Sequence, residues 1–382
     1  DEIKKMIDGA ALFKFNKFHF HLSEDQGFRV EMEAYPLLTS VGSVRPSSNF
    51  GRGENDNTPY GGYYTKEELK DIVKYCEERY IEVIPEFDFP GHTTAVISAY
   101  PELCCTGEKI ELKTTGGVFK DILCVGNPET LKLIYAVIDE FCEIFPSKYF
   151  HIGGDEAPKT RWLNCPKCKA KLEEEGLHSM DELQGWLVNE VAGYLKKKGR
   201  KAICWNESLN GGNLDKDNIT VALWTNKMDK GVEWANGGNP VIMEKFTPYY
   251  VDYPYGMHSL KDVYMFNPKK VRGLTSLGAA SIKGVESPIW TEYVRDFEKL
   301  SYMCFPRWLA VAETGWNGVN TKGYQSFLKS AEFYSDILKG IGHNPAPKSE
   351  WNVAPHTRLN KTVGFFKNSL TAETVKNFLK KD

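Results

Sequence analysis

Acidic side chains and tryptophans follow most of the short apolar runs in this 382-residue sequence. In chain order, the polar and aromatic residues after these runs are Glu24, Asp25, Asp88, His92, Asp155, Glu156, Trp205, Glu207, Trp224, Tyr250, Asp252, Trp290 and Glu292. An indole face covers the apolar face of a sugar, and carboxylates hydrogen-bond its hydroxyls or protonate a glycosidic oxygen. Core packing explains any one tryptophan equally well, but three of them beside acids favour a sugar pocket.

The adjacent acids Asp155 and Glu156 restrict the mechanism. Ordinary retaining glycosidases hold two carboxyl groups roughly 5 to 5.5 Å apart across the scissile bond. Neighbours in an extended strand point to opposite faces, so this pair fits that scheme only if the chain turns there. An easier division of labour has one carboxyl protonate the leaving oxygen while the other orients a nucleophile supplied by the substrate.

Two histidines, His19 and His21, share one face of a predicted strand and raise the question of a metal site. A binuclear metal hydrolase would place further histidines on later strands, where this sequence has Trp205 and Trp224. Histidines packed and hydrogen-bonded in the interior are therefore favoured, and neither a metal nor an organic cofactor is predicted.

The cysteines give a second possible metal site in CPKC at 165–168. Zinc sites combine such a pair with a second pair or with histidines at defined spacing, and none appears, so CPKC is interpreted as a loop feature. In an oxidising compartment Cys104 or Cys105 could bridge to Cys124, which the sequence leaves open.

Apolar runs alternate with amphipathic helical patterns such as 66–80 and 128–145. The predicted strands lie within 16–22, 82–89, 148–155, 202–207, 219–224, 240–246 and 283–290. This alternation predicts an α/β fold, a (β/α)8 TIM barrel, with functional residues at the C-terminal ends of its strands. Because a helix at 1–15 precedes the first predicted strand, strand one of the barrel is expected to be missing from this chain.

Two domains are expected. Residues 1–345 should form the catalytic barrel domain, and residues 346–382 a C-terminal extension packed on it. The extension's apolar stripe is predicted at Leu370, Val375, Phe378 and Leu379.

Charge and hydropathy narrow the range of partners. The formal net charge is -3 and the lysines are scattered, which disfavours a nucleic-acid surface. No apolar run approaches the roughly 18 to 20 residues that span a bilayer. The expected partner is a glycan or chito-oligosaccharide substrate, while oligomeric state and localisation are left open.

Five longer motifs stand in order along the chain. They are KFHFHLSEDQGFR (17–29), GGYYTKEELKDIV (61–73), EVIPEFDFPGHTTA (82–95), HIGGDE (151–156) and GVESPIWTE (284–292). With them, residues 1–345 resemble glycoside hydrolase family 20, the β-N-acetylhexosaminidases. The resemblance implies exo-acting, retaining hydrolysis of terminal non-reducing β-linked N-acetylglucosamine, with N-acetylgalactosamine as an open second substrate. It also suggests a secreted, periplasmic or lysosomal enzyme.

The resemblance implies substrate-assisted catalysis, in which the 2-acetamido oxygen attacks the anomeric carbon and forms an oxazolinium ion. Glu156 matches the general acid and base, and Asp155 matches the residue that orients the acetamido group and remains ionised. His92 matches a substrate-site histidine linked to the general acid through an acidic partner. That supporting partner falls on Glu24, where aspartate is a common alternative.

The remaining matches concern sugar binding. Tyr250 matches the tyrosine that hydrogen-bonds the acetamido oxygen. The residues matching the acetamido pocket and the floor under the ring are Trp205, Trp224 and Trp290. Asp252 and Glu292 match acids that bind the outer hydroxyls, as expected of an exo-acting enzyme.

Two family features find no clear counterpart. One is a substrate-binding arginine at the end of strand one, and the other is a tryptophan that some relatives place in the strand-seven loop, for which 258–268 gives no match. Two alternatives therefore stay open: a catalytically impaired glycan-binding member of the family, and a conventional two-carboxylate β-glycosidase with Glu207 or Glu292 as nucleophile. The first would bind without turnover, and the second would cleave substrates that lack an acetamido group.

Overall fold

The computed structural model describes residues 1–51, 55–319 and 321–369. Within these ranges, the main sheet has seven strands, which neighbour one another in chain order. They are β1 (Lys17–His21), β2 (Glu82–Glu86), β3 (Tyr149–His151), β4 (Lys201–Trp205), β5 (Ile219–Leu223), β6 (Val241–Met243) and β7 (Ile282–Val285). The pairs β1–β2, β2–β3, β3–β4 and β6–β7 are parallel. The predicted succession of strands is confirmed, and the helix Glu2–Leu12 comes before β1.

Register places two histidines of β1 beside the acidic end of β2. His19 pairs with Ile84 and His21 pairs with Glu86. Side chains two residues apart on a strand share a face, so His19 and His21 point to one side of the sheet. This is the register that brings both imidazoles to the Glu86 carboxylate.

The chain separates into two compact bodies, one formed mainly by residues 17–49 and 55–221, the other mainly by residues 1–16 and 222–369. They are called here the 17–221 body and the 222–369 body. The α-helices of the 17–221 body are Pro36–Ser40, Lys66–Glu77, Thr94–Ala99, Pro128–Ile144, Thr160–Asn164, Pro166–Glu174 and Met180–Lys197. It also has two 3-10 helices, Pro101–Leu103 and Asn206–Gly211, and two short hairpins, Ser23–Glu24 with Gly27–Phe28 and Val44–Arg45 with Tyr60–Gly61.

Local sequence explains where the helix Lys66–Glu77 begins and what it buries. The Thr65 side chain accepts from the Glu68 amide while the Glu68 carboxylate accepts from the Thr65 amide, which is a capping box. The buried apolar side chains recur at helical spacing: Leu69, Ile72, Val73 and Cys76. The helix predicted over 66–80 thus forms, and it ends slightly early, at Glu77.

The 222–369 body is mostly helical. With Glu2–Leu12, its α-helices are Asp229–Asn236, Phe246–Tyr249, Leu260–Met265, Ser276–Ser281, Phe297–Cys304, Arg307–Asn317, Tyr324–Gly340, Lys348–Trp351 and Pro355–Ser369, and Pro268–Lys270 is a 3-10 helix. Its core joins apolar side chains from many of these helices, among them Phe13, Leu260, Ala310 and Leu338.

The predicted C-terminal extension falls partly within the described residues. Trp351 is 2% exposed and belongs to the core of the 222–369 body. The expected apolar stripe, which begins at Leu370, lies outside the described residues, so the domain boundary at 345 stays a prediction. Among the described helices, none combines the length and apolarity that crossing a membrane requires.

Candidate active site

The backbone turns where the sequence analysis required a turn. Strand β3 ends at His151, and φ is 65° at Gly153, 103° at Gly154 and 41° at Glu156. A Cβ atom on Gly153 would lie 1.6 Å from Asp88 Oδ1, so only glycine fits there. The predicted strand over 148–155 is therefore shorter than expected, and Glu156 follows Asp155 in a turn instead of on the opposite face of a strand.

His92 lies between two acidic pairs of the 17–221 body, Glu24 with Asp25 and Asp155 with Glu156. Its Nδ1 atom is 2.9 Å from Glu24 Oε1 and 3.3 Å from Asp25 Oδ2. Its Nε2 atom is 3.6 Å from Asp155 Oδ2 and 3.9 Å from Glu156 Oε2. The structure thus brings His92 together with Glu24, Asp155 and Glu156, all of which were expected in the site.

Electrostatics make this imidazole a cation. Burial opposes the charge, but Glu24 and Asp155 raise the pKa of His92 well above its usual value. Burial also raises the pKa of Asp155 to about 6, with Glu156 acting in the same direction and His92 against it. With this pKa, Asp155 is ionised above about pH 6, and its role as an ionised catalytic residue stays a prediction.

Asp88, which follows β2, completes this acidic group. It is 1% exposed, and its Oδ1 accepts a hydrogen bond from the Gly154 amide at 3.0 Å. Burial and the charge of Asp155 raise the pKa of Asp88 well above its usual value, while its hydrogen bond to Asp155 lowers the pKa of Asp155. A protonated Asp88 that donates to an ionised Asp155 accounts for both directions.

The histidines of the opening motif surround Glu86 in the interior. Glu86 accepts from His21 Nδ1 and lies 3.0 Å from His19 Nε2 and 2.8 Å from His151 Nδ1. Burial opposes protonation, but Glu86 and Glu24 raise the pKa of His21 to about 10. These histidines are packed and hydrogen-bonded, as expected. One ligand atom each of His19, Glu86 and His151 lies within 4.8 Å of the others, a spacing that could also hold a metal ion, so the expectation that no metal binds here stays a prediction.

Trp205 belongs to the same interior cluster. It is 1% exposed, its Nε1 donates to Glu86 Oε1 at 3.0 Å, and its ring centroid lies 4.4 Å from that of His151. These contacts are those of a core tryptophan. A place for Trp205 in a sugar pocket stays a prediction.

Three predicted aromatic residues meet within the 222–369 body. The rings of Trp224 and Tyr250 are stacked, with centroids 5.8 Å apart and planes 29° apart. The ring centroids of Trp290 and Tyr250 are 6.4 Å apart. Tyr250 is 5% exposed, while both tryptophans are half-buried. This trio forms an amphipathic surface of the type that contacts sugars.

Asp252 lies two residues after Tyr250 and is 2% exposed. Its Oδ1 atom is buried and has no hydrogen-bond partner among the residues that the structure describes. Burial, together with Glu292, raises the pKa of Asp252 well above its usual value. A buried carboxyl oxygen without a partner is costly unless a ligand occupies it, so Asp252 is a good candidate for contacting a hydroxyl group.

The loop that carries Tyr250 and Asp252 is held by a buried cation. Arg307 is 0% exposed, and its guanidinium donates to the carbonyl oxygens of Val251, of Tyr253 at 2.7 Å and of His258 at 3.0 Å. His258 Nδ1 in turn lies 2.6 Å from the Tyr250 carbonyl oxygen. Burial lowers the pKa of His258 to about 4, so the neutral ring donates this bond.

The interpretation of CPKC as a loop feature is wrong. Cys165 is the N-cap residue and Cys168 lies within the first turn of the helix Pro166–Glu174. Their sulfur atoms, with those of Cys105 and Cys124, all lie within 4.8 Å of one another. Sequence reasoning missed this group because Cys105 and Cys124 stand far from CPKC along the chain and form no second Cys-x-x-Cys motif.

Comparison with known proteins decides the family. The sequence profile of glycosyl hydrolase family 20, catalytic domain, matches residues 1–319. The chain belongs to this family. A β-hexosaminidase of Porphyromonas gingivalis is 38% identical over 341 residues, which are 86% of this chain and 42% of that protein. The chain thus spans less than half the length of this relative.

Solved structures agree with the family and with the predicted fold class. A β-N-acetylhexosaminidase superposes with a TM-score of 0.83 at 32% identity, covering 92% of this chain and 76% of that one. A family 20 exo-β-N-acetylglucosaminidase of Vibrio harveyi, in complex with N-acetylglucosamine, gives 0.76 at 27% identity, with 90% and 56% covered. The resemblance and the α/β fold of the (β/α)8 barrel class are confirmed.

Proposed function

We propose that this chain is an exo-acting, retaining β-N-acetylhexosaminidase that releases terminal β-linked N-acetylglucosamine by substrate-assisted catalysis. The main support is the turn after β3, because it brings Asp155 and Glu156 close to the cationic His92. Two adjacent carboxylates arranged in this way suit a reaction in which the substrate supplies its own nucleophile.

Glu156 is the proposed general acid. It protonates the glycosidic oxygen as the bond from that oxygen to the anomeric carbon breaks. The acetamido oxygen simultaneously forms a bond to the anomeric carbon, which gives a cyclic oxazolinium ion. Glu156 then removes a proton from water as water opens the ring, and two inversions leave the β configuration retained.

Asp155 is proposed to accept the acetamido N–H and to stabilise the positive charge that develops on the oxazoline. This role needs its ionised form, which the neighbouring His92 cation and the hydrogen bond from Asp88 favour. Preorganised charge of this kind acts strongly because the group is largely shielded from water.

For the 222–369 body we propose a sugar-binding role. The stacked Trp224, Tyr250 and Trp290 provide the aromatic surface, with the Tyr250 hydroxyl hydrogen-bonding the acetamido oxygen. The unpartnered Oδ1 of Asp252 and the exposed Glu292 are proposed to bind outer hydroxyls, which would restrict cleavage to a terminal residue.

The deciding experiment compares release of nitrophenol from the β-N-acetylglucosaminide and from the matching β-glucoside. Cleavage of the acetamido substrate alone, with the β anomer as first product by NMR, supports the proposal. Cleavage of both sugars would favour a two-carboxylate mechanism. Glu207, whose Oε2 accepts from the Glu156 amide at 3.2 Å, would then be the nucleophile to test.

Binding of the stable oxazoline analogue, a thiazoline of N-acetylglucosamine, separates the remaining alternative. Tight binding measured by calorimetry without turnover of either glycoside would indicate a glycan-binding member of the family. If the chain neither binds the analogue nor cleaves either glycoside, the proposal is contradicted.

A further inference from the structure

Four cysteines from three separate segments meet at one point in the 17–221 body. Cys105 and Cys124 come from the long loop after β2, and Cys165 and Cys168 from the loop and helix after β3. Cys124, Cys165 and Cys168 are buried, and Cys105 is half-buried. All four thiols are free.

The spacing of the sulfur atoms is that of a tetrahedral metal site. Cys124 Sγ lies 3.7 Å from Cys165 Sγ and 3.6 Å from Cys168 Sγ, and Cys105 Sγ lies 3.7 Å from Cys168 Sγ. Tetrahedral zinc with Zn–S bonds of about 2.3 Å separates its sulfur ligands by about 3.8 Å. A disulfide would bring one pair to about 2.05 Å instead.

The surrounding backbone suits thiolate ligands. Cys165 is the N-cap residue and Cys168 lies in the first turn of the nine-residue helix Pro166–Glu174, where free amide groups favour negative charge. The Gly126 amide also hydrogen-bonds the Cys168 sulfur. A Cβ atom on Gly126 would lie 2.1 Å from the Lys167 carbonyl carbon, so glycine permits this close approach.

We propose that Cys105, Cys124, Cys165 and Cys168 form a structural Zn²⁺ site. Four thiolates and no open position define a closed site, which stabilises structure and takes no part in chemistry. Binding displaces one proton from each thiol, so the centre carries two net negative charges. The metal would tie the loop after β2 to the loop after β3.

Those two loops carry His92, Asp155 and Glu156 of the candidate active site. The Leu123 amide donates to the Pro90 carbonyl at 3.0 Å, two residues before His92. A Cβ atom on Gly91 would lie 2.9 Å from the Asp155 carbonyl oxygen, which shows how closely the two loops approach. A zinc ion at the cysteines would therefore fix the distance between His92 and Asp155 without touching either. The zinc proposal stands independently of the proposed activity.

Metal analysis of the whole chain, purified under reducing conditions without a metal-affinity resin, tests the proposal. Elemental mass spectrometry should find about one zinc ion per chain, as a closed site of four thiolates requires. Cys105→Ser and Cys124→Ser should reduce that content several-fold and lower the thermal midpoint. Cys142→Ser, which changes a half-buried cysteine outside the group, should retain both.

Cobalt substitution of the unaltered chain keeps the test independent of how the variants fold. Co²⁺ should give the sulfur-to-metal charge-transfer and visible bands of a tetrahedral tetrathiolate, and added Zn²⁺ should abolish them. Stoichiometric iron in the purified protein would overturn zinc as the ion. A disulfide among these cysteines, or wild-type protein that takes up neither metal when reduced, would overturn the site itself.

Discussion

His92 Nδ1 lies 2.9 Å from Glu24 Oε1, on the side of the ring opposite Asp155 and Glu156. The histidine therefore connects a supporting acid to the candidate catalytic pair. Among the charges around His92, Glu24 raises its pKa most. Glu24 therefore influences the positive charge that Asp155 and Glu156 experience from His92.

Glu24→Gln should lower kcat about 10- to 100-fold, which corresponds to about 1.4 to 2.7 kcal/mol of transition-state stabilisation. The amide removes the charge that keeps His92 protonated, so the pKa of His92 should fall. NMR titration of the imidazole and kcat and KM at several pH values measure both effects.

Glu24→Asp is the matched control for this positioning role, since it keeps the charge and shortens the side chain by one methylene. It should recover most of kcat and the wild-type pH profile. Equal loss in both variants, with the histidine titration unchanged, would show that Glu24 matters only for packing.

Glu156→Gln should lower kcat about 10²- to 10⁴-fold on a glycoside with a poor leaving group, because proton donation is lost. The deficit should shrink on a dinitrophenyl glycoside, whose leaving group needs no proton. Asp155→Asn should be impaired on both substrates. If Glu156→Gln lowers kcat equally on both substrates, Glu156 is not the general acid.

Asp155→Asn should be more stable than the wild-type chain at pH 8. Burial raises the pKa of Asp155 from 3.8 to about 6 in the folded state, so folding there opposes ionisation. The contribution of such a group is present below its unfolded pKa and is lost as the pH rises through 6. The gain from asparagine should thus be on the order of 1 to 3 kcal/mol at pH 8 and vanish towards pH 4.

Urea unfolding across this pH range measures that gain, with the exposed Asp229→Asn as control. A gain of equal size at pH 4 and pH 8 would assign it to packing instead of ionisation.

Tyr250→Phe removes the hydroxyl group that is proposed to contact the acetamido oxygen. Its ring can still stack on Trp224, and the hydrogen bond from His258 goes to the backbone of residue 250. We expect unfolding within about 0.5 kcal/mol of wild type and a kcat about 10- to 100-fold lower. Tyr253→Phe in the same loop is the control, and unchanged oxazoline-analogue binding in Tyr250→Phe would contradict the assignment.

Arg307→Met should destabilise the 222–369 body by about 3 to 5 kcal/mol, because three buried backbone carbonyls lose a charged donor. Denaturant unfolding measures the loss. Arg272→Met, at an exposed position, should change the free energy of unfolding by less than about 0.5 kcal/mol. If the two substitutions change the free energy of unfolding equally, Arg307 does not stabilise the loop that carries Asp252.

Local pattern was enough to predict the long amphipathic helices that the sequence analysis named. The periodicity over 128–145 gives the helix Pro128–Ile144 almost to the residue, since its amphipathic face and its Asn127 cap are both encoded nearby. The strand predicted over 148–155 ends instead at His151, because Gly153 and Gly154 adopt positive φ beside Asp88. The contact that requires this turn joins residues from two different strand ends far apart along the chain, so no local pattern contains it.

The sequence by itself determined the order of the main-sheet strands, the family resemblance and the positions of the candidate catalytic pair. These follow from local periodicity and from contiguous motifs. Only the tertiary structure decided that His92 faces both Glu24 and Asp155, that Glu86 gathers three histidines, and that four distant cysteines meet. Such contacts depend on how loops after neighbouring strands fold against each other, and the free energy that fixes them comes from burial and paired charges across long chain separations.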